Sequence, residues 1–432
     1  MDKINIIWFR NNLRTEDNEA LTNALSSSNK VLAVYCFDPK FFAPTKFGFK
    51  KTERFRAQFL LETVNDLQDQ LMKLNVSLLT PHTDLHSFFN DLKNNYVIEH
   101  IYTQKEWTSE EDADKAIIQD IFPKAKWFEY YDQFLFHPED VPFMADETPM
   151  VFSNFRKICE KKAQVRKPLP IPSALPSDRT VEVKNTIPTL EDLGFETFKT
   201  HPSTAFPFKG GEINANNRMD YYIWDTDKIA FYKKTRNGLL GKDYSAKFSP
   251  WLANGSLSAR IIYQEVKAYE KEVRKNESTY WLIFELIWRD YFKYVSLKFG
   301  NSIFKQGGIL NREYKWHDKM KFVQEWIDGR TREPFVNANM IELKETGWMS
   351  NRGRQNVGSY FSKNLKLDWR IGAAYFESML LDYDVHSNYG NWMYVSGVGN
   401  DPRDRVFNVQ LQASRYDKQS KFQKLWLSPT LF

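Results

Sequence analysis

Ile4-Asn5-Ile6-Ile7-Trp8-Phe9 is a largely apolar run that breaks at once into Arg10-Asn11-Asn12-Leu13-Arg14, the pattern of a buried strand ending in a polar turn. Four more short apolar or β-branched runs follow at residues 31–37, 76–79, 100–103 and 126–131. Helical patterns lie between them. Over residues 54–74, Leu60, Leu61, Val64, Leu67, Leu71 and Leu74 recur at helical spacing and form one apolar stripe. Strands alternating with amphipathic helices predict a parallel, doubly wound, Rossmann-like α/β domain over residues 1–130. No Gly-x-Gly-x-x-Gly follows the first run, so the nicotinamide dinucleotide fingerprint is absent.

Beyond that domain the chain changes character twice. Residues 131–214 read as a connector, because eight of the 18 prolines fall within 131–200, where missing amide donors and fixed φ oppose regular structure. It is expected to wrap the surface, with one short helix near residues 152–161. From residue 215 to 432 the pattern is persistently helical, as at 258–273, 280–298, 320–328, 335–346 and 369–381, and predicts an all-α domain.

The chain has 432 residues with 42% hydrophobic content. Its 13 Trp, 21 Tyr and 34 Phe exceed what a core requires and point to a surface or cavity that stacks on planar groups. Cys36 and Cys159 are too few for a disulfide framework or a four-cysteine cluster, which fits a reducing compartment. Met1-Asp2-Lys3 leads into the first strand without a signal-peptide pattern, and no apolar run reaches 18 residues, so a cytoplasmic protein without membrane spans is expected. Residues 1–130 carry 16 basic and 19 acidic side chains, whereas 201–432 carry 35 and 25. Such a cationic half suits a polyanion through counterion release, although a plain solvated basic surface has the same charge.

Four segments and a scattered set of tryptophans carry chemistry. Tyr232 and Arg236 precede a Gly- and Ser-containing stretch, Ser245-Ala246-Lys247-Phe248-Ser249, whose hydroxyls, lysine and following helix start suit a pyrophosphate, although on the residues alone an ordinary loop before a helix explains it better. Glu285, Trp288 and Arg289 fall at i, i+3 and i+4, with Phe292 one turn further, so an acid, a flat ring and a cation share one helical face. Trp348-Met349-Ser350-Asn351-Arg352-Gly353-Arg354-Gln355 offers two arginines as an anion clamp or as solvated cap residues. Asp382, Asp384, His386 and Asn388 lack a repeated ligand spacing, so no metal site is expected, and Trp392 and Tyr394 close that segment. Trp316, Trp369 and Trp392, taken singly, read as core filling.

Together and in register, these segments resemble the photolyase and cryptochrome family, and the resemblance runs along nearly the whole chain. Thr235-Arg-Asn-Gly-Leu-Leu-Gly, Asn351-Arg-Gly-Arg-Gln and Gly399-Asn-Asp-Pro-Arg are similar to its DASH cryptochrome branch, as are Gln355 and Tyr394, where dimer photolyases have Met and Trp. Asn12 and Asn337 depart from the family's usual Asp; a local change in helix pairing is expected at Asn337.

The resemblance implies FAD in the helical domain. Its contacts would be Tyr232, Ser245, Ala246, Lys247, Phe248, Ser249, Glu285, Trp288, Arg289, Phe292, Asn351, Arg354, Asp382, Asp384 and Asn388, with Asp384 toward the flavin N3-H, Asn388 toward N5 and an Arg354–Asp382 pair behind the ring. It implies catalytic roles for Glu285, Asn351, Arg352 and Asn388, and DNA contacts from Arg236, Trp288, Arg352, Gln355 and Tyr394. Trp392, Trp369 and Trp316 would carry electrons between flavin and surface. Glu106 and Glu110 are candidates to hold a methenyltetrahydrofolate antenna, although acids at a helix start suit solvent as well. The implied activity is light-driven repair of cyclobutane pyrimidine dimers, preferentially in single-stranded DNA, by a carbon–carbon lyase acting as a monomer. The alternative is a blue-light signalling protein that binds DNA or RNA without repair, against which the lack of a long tail beyond Phe432 weighs.

Overall fold

The computed structural model describes residues 2–428. Five parallel strands, β1 (Asp2–Trp8), β2 (Lys30–Val34), β3 (Ser77–Leu79), β4 (Tyr96–Gln104) and β5 (Lys126–Tyr130), lie in the order β3-β2-β1-β4-β5. In β1 Ile4 to Trp8 are all buried, because helices cover both faces. Ile4, Ile6 and Trp8 pack on α3 (Leu85–Asn95) and α4 (Ser109–Ile121), which follow α1 (Glu19–Ser26) and α2 (Arg54–Lys73) in the chain. Ile7, one residue out of phase, faces α1 and α2 on the other side. The stripe on α2 is buried apart from half-exposed Leu60, each such Leu or Val contributing about 1.5–3 kcal/mol. Phe55 and Phe59 from the same helix belong to the core of the second domain, so α2 ties the two together.

The helical part comprises α5 (Phe152–Lys162), α6 (Glu212–Asp220), α7 (Tyr232–Thr235), α8 (Ser249–Asn254), α9 (Ala259–Glu272), α10 (Glu277–Phe299), α11 (Met320–Ile327), α12 (Pro334–Thr346), α13 (Asn351–Ser359), α14 (Trp369–Met379), α15 (Val385–Ser396), α16 (Val409–Tyr416) and α17 (Lys421–Leu427). Every helix expected from periodicity is present, with ends shifted by three residues or fewer. The connector differs from expectation. Its Leu175, Leu190, Leu193 and Phe195 are buried with α1 and α2, so it completes the α/β core and does not merely wrap the outside. Proline fixes an extended path there, yet the apolar side chains between the prolines still seek burial.

The two halves are locked through the turn after β1. Gly255 has φ +75°, and a Cβ on it would lie 1.9 Å from the Asn11 carbonyl oxygen, so only glycine lets α8 end against that turn. Asp17, fully buried, accepts from Arg260 Nε at 2.9 Å, from Ser258 Oγ and from the Leu169 amide at 3.0 Å, joining turn, helical domain and connector at one carboxylate. Asn12 satisfies itself locally, its Oδ1 accepting from the Arg10 amide at 3.1 Å. Asn337 does likewise, accepting from the Thr331 amide at 2.9 Å and hydroxyl at 2.7 Å.

Candidate functional site

Two cavities meet at the start of α15. The larger, about 390 Å³, lies between the domains against the carboxyl ends of β1, β2 and β4, beside the β1/β4 position where the strand order reverses. Open α/β sheets bind ligands at such positions. Trp8, Tyr35, Phe37, Phe41 and Tyr389 give it flat walls. Its charged groups include Glu106, Glu110 and Glu111 together with Lys51, Arg289 and Lys293. Glu106 accepts from Gln104 Nε2 at 2.6 Å and Asn11 Nδ2 at 3.3 Å, whereas Glu110 is engaged by Lys51. Burial, aided by Glu106, pushes Glu111 up to about 7. Arg289 donates to the Gln133 and Leu252 carbonyls at 2.6 and 3.0 Å and lines this cavity.

The smaller cavity, about 90 Å³, is lined by Asn351, Arg354, Gln355, Asp382, Asp384, Asn388 and Trp392. Asp384 caps α15 by accepting from the Ser387 amide at 2.7 Å, which sets Asn388 and Trp392 one and two turns later on the same face. Asn388 donates to the Ala373 carbonyl at 3.0 Å. Arg354 Nη2 lies 2.9 Å from Asp382 Oδ1, the pair expected from sequence. Trp392 is 3% exposed, and its buried indole N–H has no partner.

The stretch 245–249 lies outside this cavity. Arg218 holds its backbone, donating to the carbonyls of Ala246 and Ser245 at 3.1 and 3.2 Å. Lys247, in left-handed conformation with φ 65°, turns inward until its ammonium sits 3.3 Å from the Tyr244 ring centroid and 4.4 Å from that of Trp348, without a hydrogen-bond partner. Burial holds Lys247 well below its usual range. Facing it, burial pushes Glu342 up to about 8 against the pull of Lys247 and Arg354, and Glu342 Oε2 is also unpartnered. Tyr232 is buried and raised to about 12, while Ser249 is exposed.

A third group of residues forms a rim. Arg236 and Glu285 form an ion pair. Arg352 donates to Gln355 Oε1 at 2.9 Å, Asn237 Oδ1 at 3.1 Å and Gln412 Oε1 at 3.3 Å, and lies over the Tyr416 ring at 4.4 Å. Trp288 meets Tyr394 edge-on at 5.9 Å and Phe292 at 5.6 Å, and stacks on Phe152 at 3.6 Å with an interplanar angle of 10°. One face of Trp288 is therefore covered, a contact the sequence pattern did not reveal because Phe152 lies in the connector. The tryptophans grade inward: Trp316 half-buried, Trp369 fully buried, Trp392 at the small cavity. Backbone bonds from His317 to Lys366 and from Asp368 to His317 bring the first two segments side by side.

Acid, amide and arginine–carboxylate pair around one cavity suit a heteroaromatic ring, and the orphaned Lys247 ammonium suits an anionic group. Residues 5–174 match the family model described as DNA photolyase, and residues 281–431 the one described as FAD binding domain of DNA photolyase. Cryptochrome DASH of Gloeobacter violaceus is 44% identical over 98% of this chain and 85% of the relative. The chain belongs to the DASH cryptochrome branch of the photolyase and cryptochrome family. The Arabidopsis thaliana relative, named as chloroplastic/mitochondrial, is 44% identical over 98% of this chain and 75% of its own length. A crystal structure of a Synechocystis cryptochrome superposes with a TM-score of 0.94 at 43% identity, covering 98% of this chain and 88% of that one. A class III photolyase from Agrobacterium tumefaciens shares the fold at 24% identity with a TM-score of 0.82, covering 99% and 87%. Membership makes the helical half of this DASH cryptochrome an FAD-binding domain with an α/β partner domain. No helix among the described residues is long and apolar enough to cross a membrane.

Proposed function

We propose that this DASH cryptochrome repairs cyclobutane pyrimidine dimers, preferentially in single-stranded DNA, with FAD at the small cavity and an antenna of methenyltetrahydrofolate type between the domains. The observation that carries the reading is the placement of α13: its N-terminal end gives Asn351 and Gln355 to the small cavity and Arg352 to the rim beside Tyr416. Small cavity and rim thus share one helix end. Bound FAD supplies the photoexcitable electron donor, and the protein's task is to position and to exclude water.

Asp382, Asp384 and Asn388 would hold the ring edge, Arg354 would neutralise Asp382, and the 245–249 backbone with Lys247 would meet the diphosphate. Arg352 and Arg236 would grip the lesion strand's phosphates, Glu285 would hydrogen-bond the dimer, and Trp288 would stack on it with the face that Phe152 leaves free. Trp392, Trp369 and Trp316 would return the flavin to its reduced state from the surface. Glu106 and its amide donors would orient the antenna ring, and Lys51 would release Glu110 for it.

Extruding a dimer from duplex costs a few kcal/mol, while an aromatic stack returns about 1–3 kcal/mol. With Tyr394 and Gln355 in place of a second Trp and a Met, the platform suits strands that need no opening. The test is illumination of the purified protein with UV-irradiated oligo(dT), single-stranded and in duplex. Recovery of thymine absorbance under blue light, at least tenfold faster in the single strand, supports repair. A protein that takes up FAD and photoreduces without any recovery refutes it in favour of signalling.

A further inference from the structure

The two cavities share a wall. Tyr383 and Asp384 line both, and no other residue among the described residues does. On the interdomain side Asp384 meets Lys293, whose Nζ lies 2.8 Å from Asp384 Oδ2 with its side chain only 3% exposed. Lys293 stands one turn beyond Arg289 and two beyond Glu285 on α10, so a single helical face runs from the rim to the interdomain cavity. An ammonium has three donors, and among the described residues Asp384 is the one hydrogen-bond partner of this Nζ. The other donors are available to whatever occupies the larger cavity, which Lys293 lines.

We infer that Lys293 is a positioning residue that couples the cavities: an anionic ligand between the domains competes with Asp384 for the Lys293 ammonium and so alters the charge that Asp384 presents to the flavin pocket. The inference rests on the reading of the small cavity as the flavin site.

The surroundings leave Lys293 without a substitute. Burial would raise Asp384, but Lys293 first, then His386 and Arg289, hold it well below the carboxylate range. Burial pushes His386 itself down to about 3, so it is neutral near pH 7 and contributes no charge there. Arg289 is committed to two backbone carbonyls. A single cation, Lys293, therefore sets the balance on Asp384. Reduced, anionic flavin adds negative charge to the pocket, so freeing Asp384 costs more when the flavin is reduced. Linkage requires the converse, that ligand in the large cavity disfavours the reduced flavin by the same factor.

The FAD-loaded protein is titrated with 5,10-methenyltetrahydrofolate, whose glutamyl carboxylates make it an anionic probe, with the flavin oxidised and again with it chemically reduced in the dark. The expected result is at least fivefold weaker binding to the reduced form in the wild type. In Lys293→Gln the two affinities converge to within twofold, and Lys293→Arg restores the difference. Equal affinities in the wild type overturn the inference whether or not the variants fold, as does a fivefold difference that survives in Lys293→Gln. Absent probe binding overturns it too. A chain that purifies without flavin absorbance and refuses added FAD overturns instead the reading of the small cavity, and absorbance reports that before any titration.

Discussion

Two glycines, Gly372 on α14 and Gly358 on α13, face the Trp392 ring and make a controlled test of how tightly the small cavity's wall is built. A Cβ on Gly372 of α14 would lie 2.3, 2.8 and 2.9 Å from Cη2, Cζ3 and Cζ2 of Trp392. Ordinary contact begins near 3.4 Å, so the ring or the helix must move by about 1 Å. The ring has little room: Phe376, Phe361 and Trp326 surround it at centroid distances of 5.1, 5.8 and 6.3 Å. Overpacking of this kind costs about 1–3 kcal/mol, against which alanine recovers about 1 kcal/mol of helix propensity. Gly372→Ala is expected to lose about 1 kcal/mol of stability and to push Trp392 into the small cavity, lowering FAD occupancy. A Cβ on Gly358 of α13 would meet Trp392 at 3.7 and 3.8 Å and Val395 Cγ2 at 3.2 Å. Only a branched side-chain tip must yield there, so Gly358→Ala is expected to be neutral or to gain about 0.5 kcal/mol from the same propensity. The assay is chemical denaturation of both variants with flavin absorbance per chain as a second reading. Equal effects of the two substitutions, or full flavin content in Gly372→Ala at wild-type stability, would refute the account of Trp392 as a tightly held wall.

Three further outcomes follow from the geometry. His386 stacks on Trp107 at 4.5 Å and is pushed down to about 3, mainly by burial. The unfolded chain, whose histidine titrates near 6.5, therefore binds the extra proton between those values, and stability contributed by this residue is full above pH 6.5 and lost by about 1.4 kcal/mol per unit as pH falls toward 3. Comparing denaturation of wild type and His386→Gln at several pH values isolates that slope, and parallel curves would contradict it. Phe152→Leu removes the ring stacked on Trp288, a pair worth about 0.5–1.5 kcal/mol, so affinity for dimer-containing single strands should fall about two- to tenfold at unchanged flavin content, measured by fluorescence anisotropy. Gly255→Ala forces a Cβ onto the Asn11 carbonyl at a positive φ, and limited proteolysis is expected to cut the connector that the locked domains protect.

What the sequence made legible was periodicity and local chemistry. The alternation of strands and amphipathic helices fixed the α/β half, because side chains pointing alternately to two covered faces leave a period in the chain. The one-face set of Glu285, Trp288 and Arg289 was readable from helical spacing within one segment, whereas the Arg354–Asp382 pair, which joins α13 to the turn before α15, came through the family resemblance alone. Contacts made across elements left no such trace. Phe152 reached Trp288 from the connector, and Gln412 and Tyr416 reached Arg352 from α16. Lys247, expected at a phosphate, is turned into an aromatic slot with an unpartnered ammonium. An uncompensated buried cation is costly, so its neighbours must either depress its charge or await an anion. Glu342, which burial pushes up to about 8 and which is likewise unpartnered, faces it. The features that escaped the sequence thus lie where separate elements meet, at Trp288, Arg352 and Lys247. Local sequence rules are expected to fail first at such meeting points, where packing between distant segments and not a local period decides the contact.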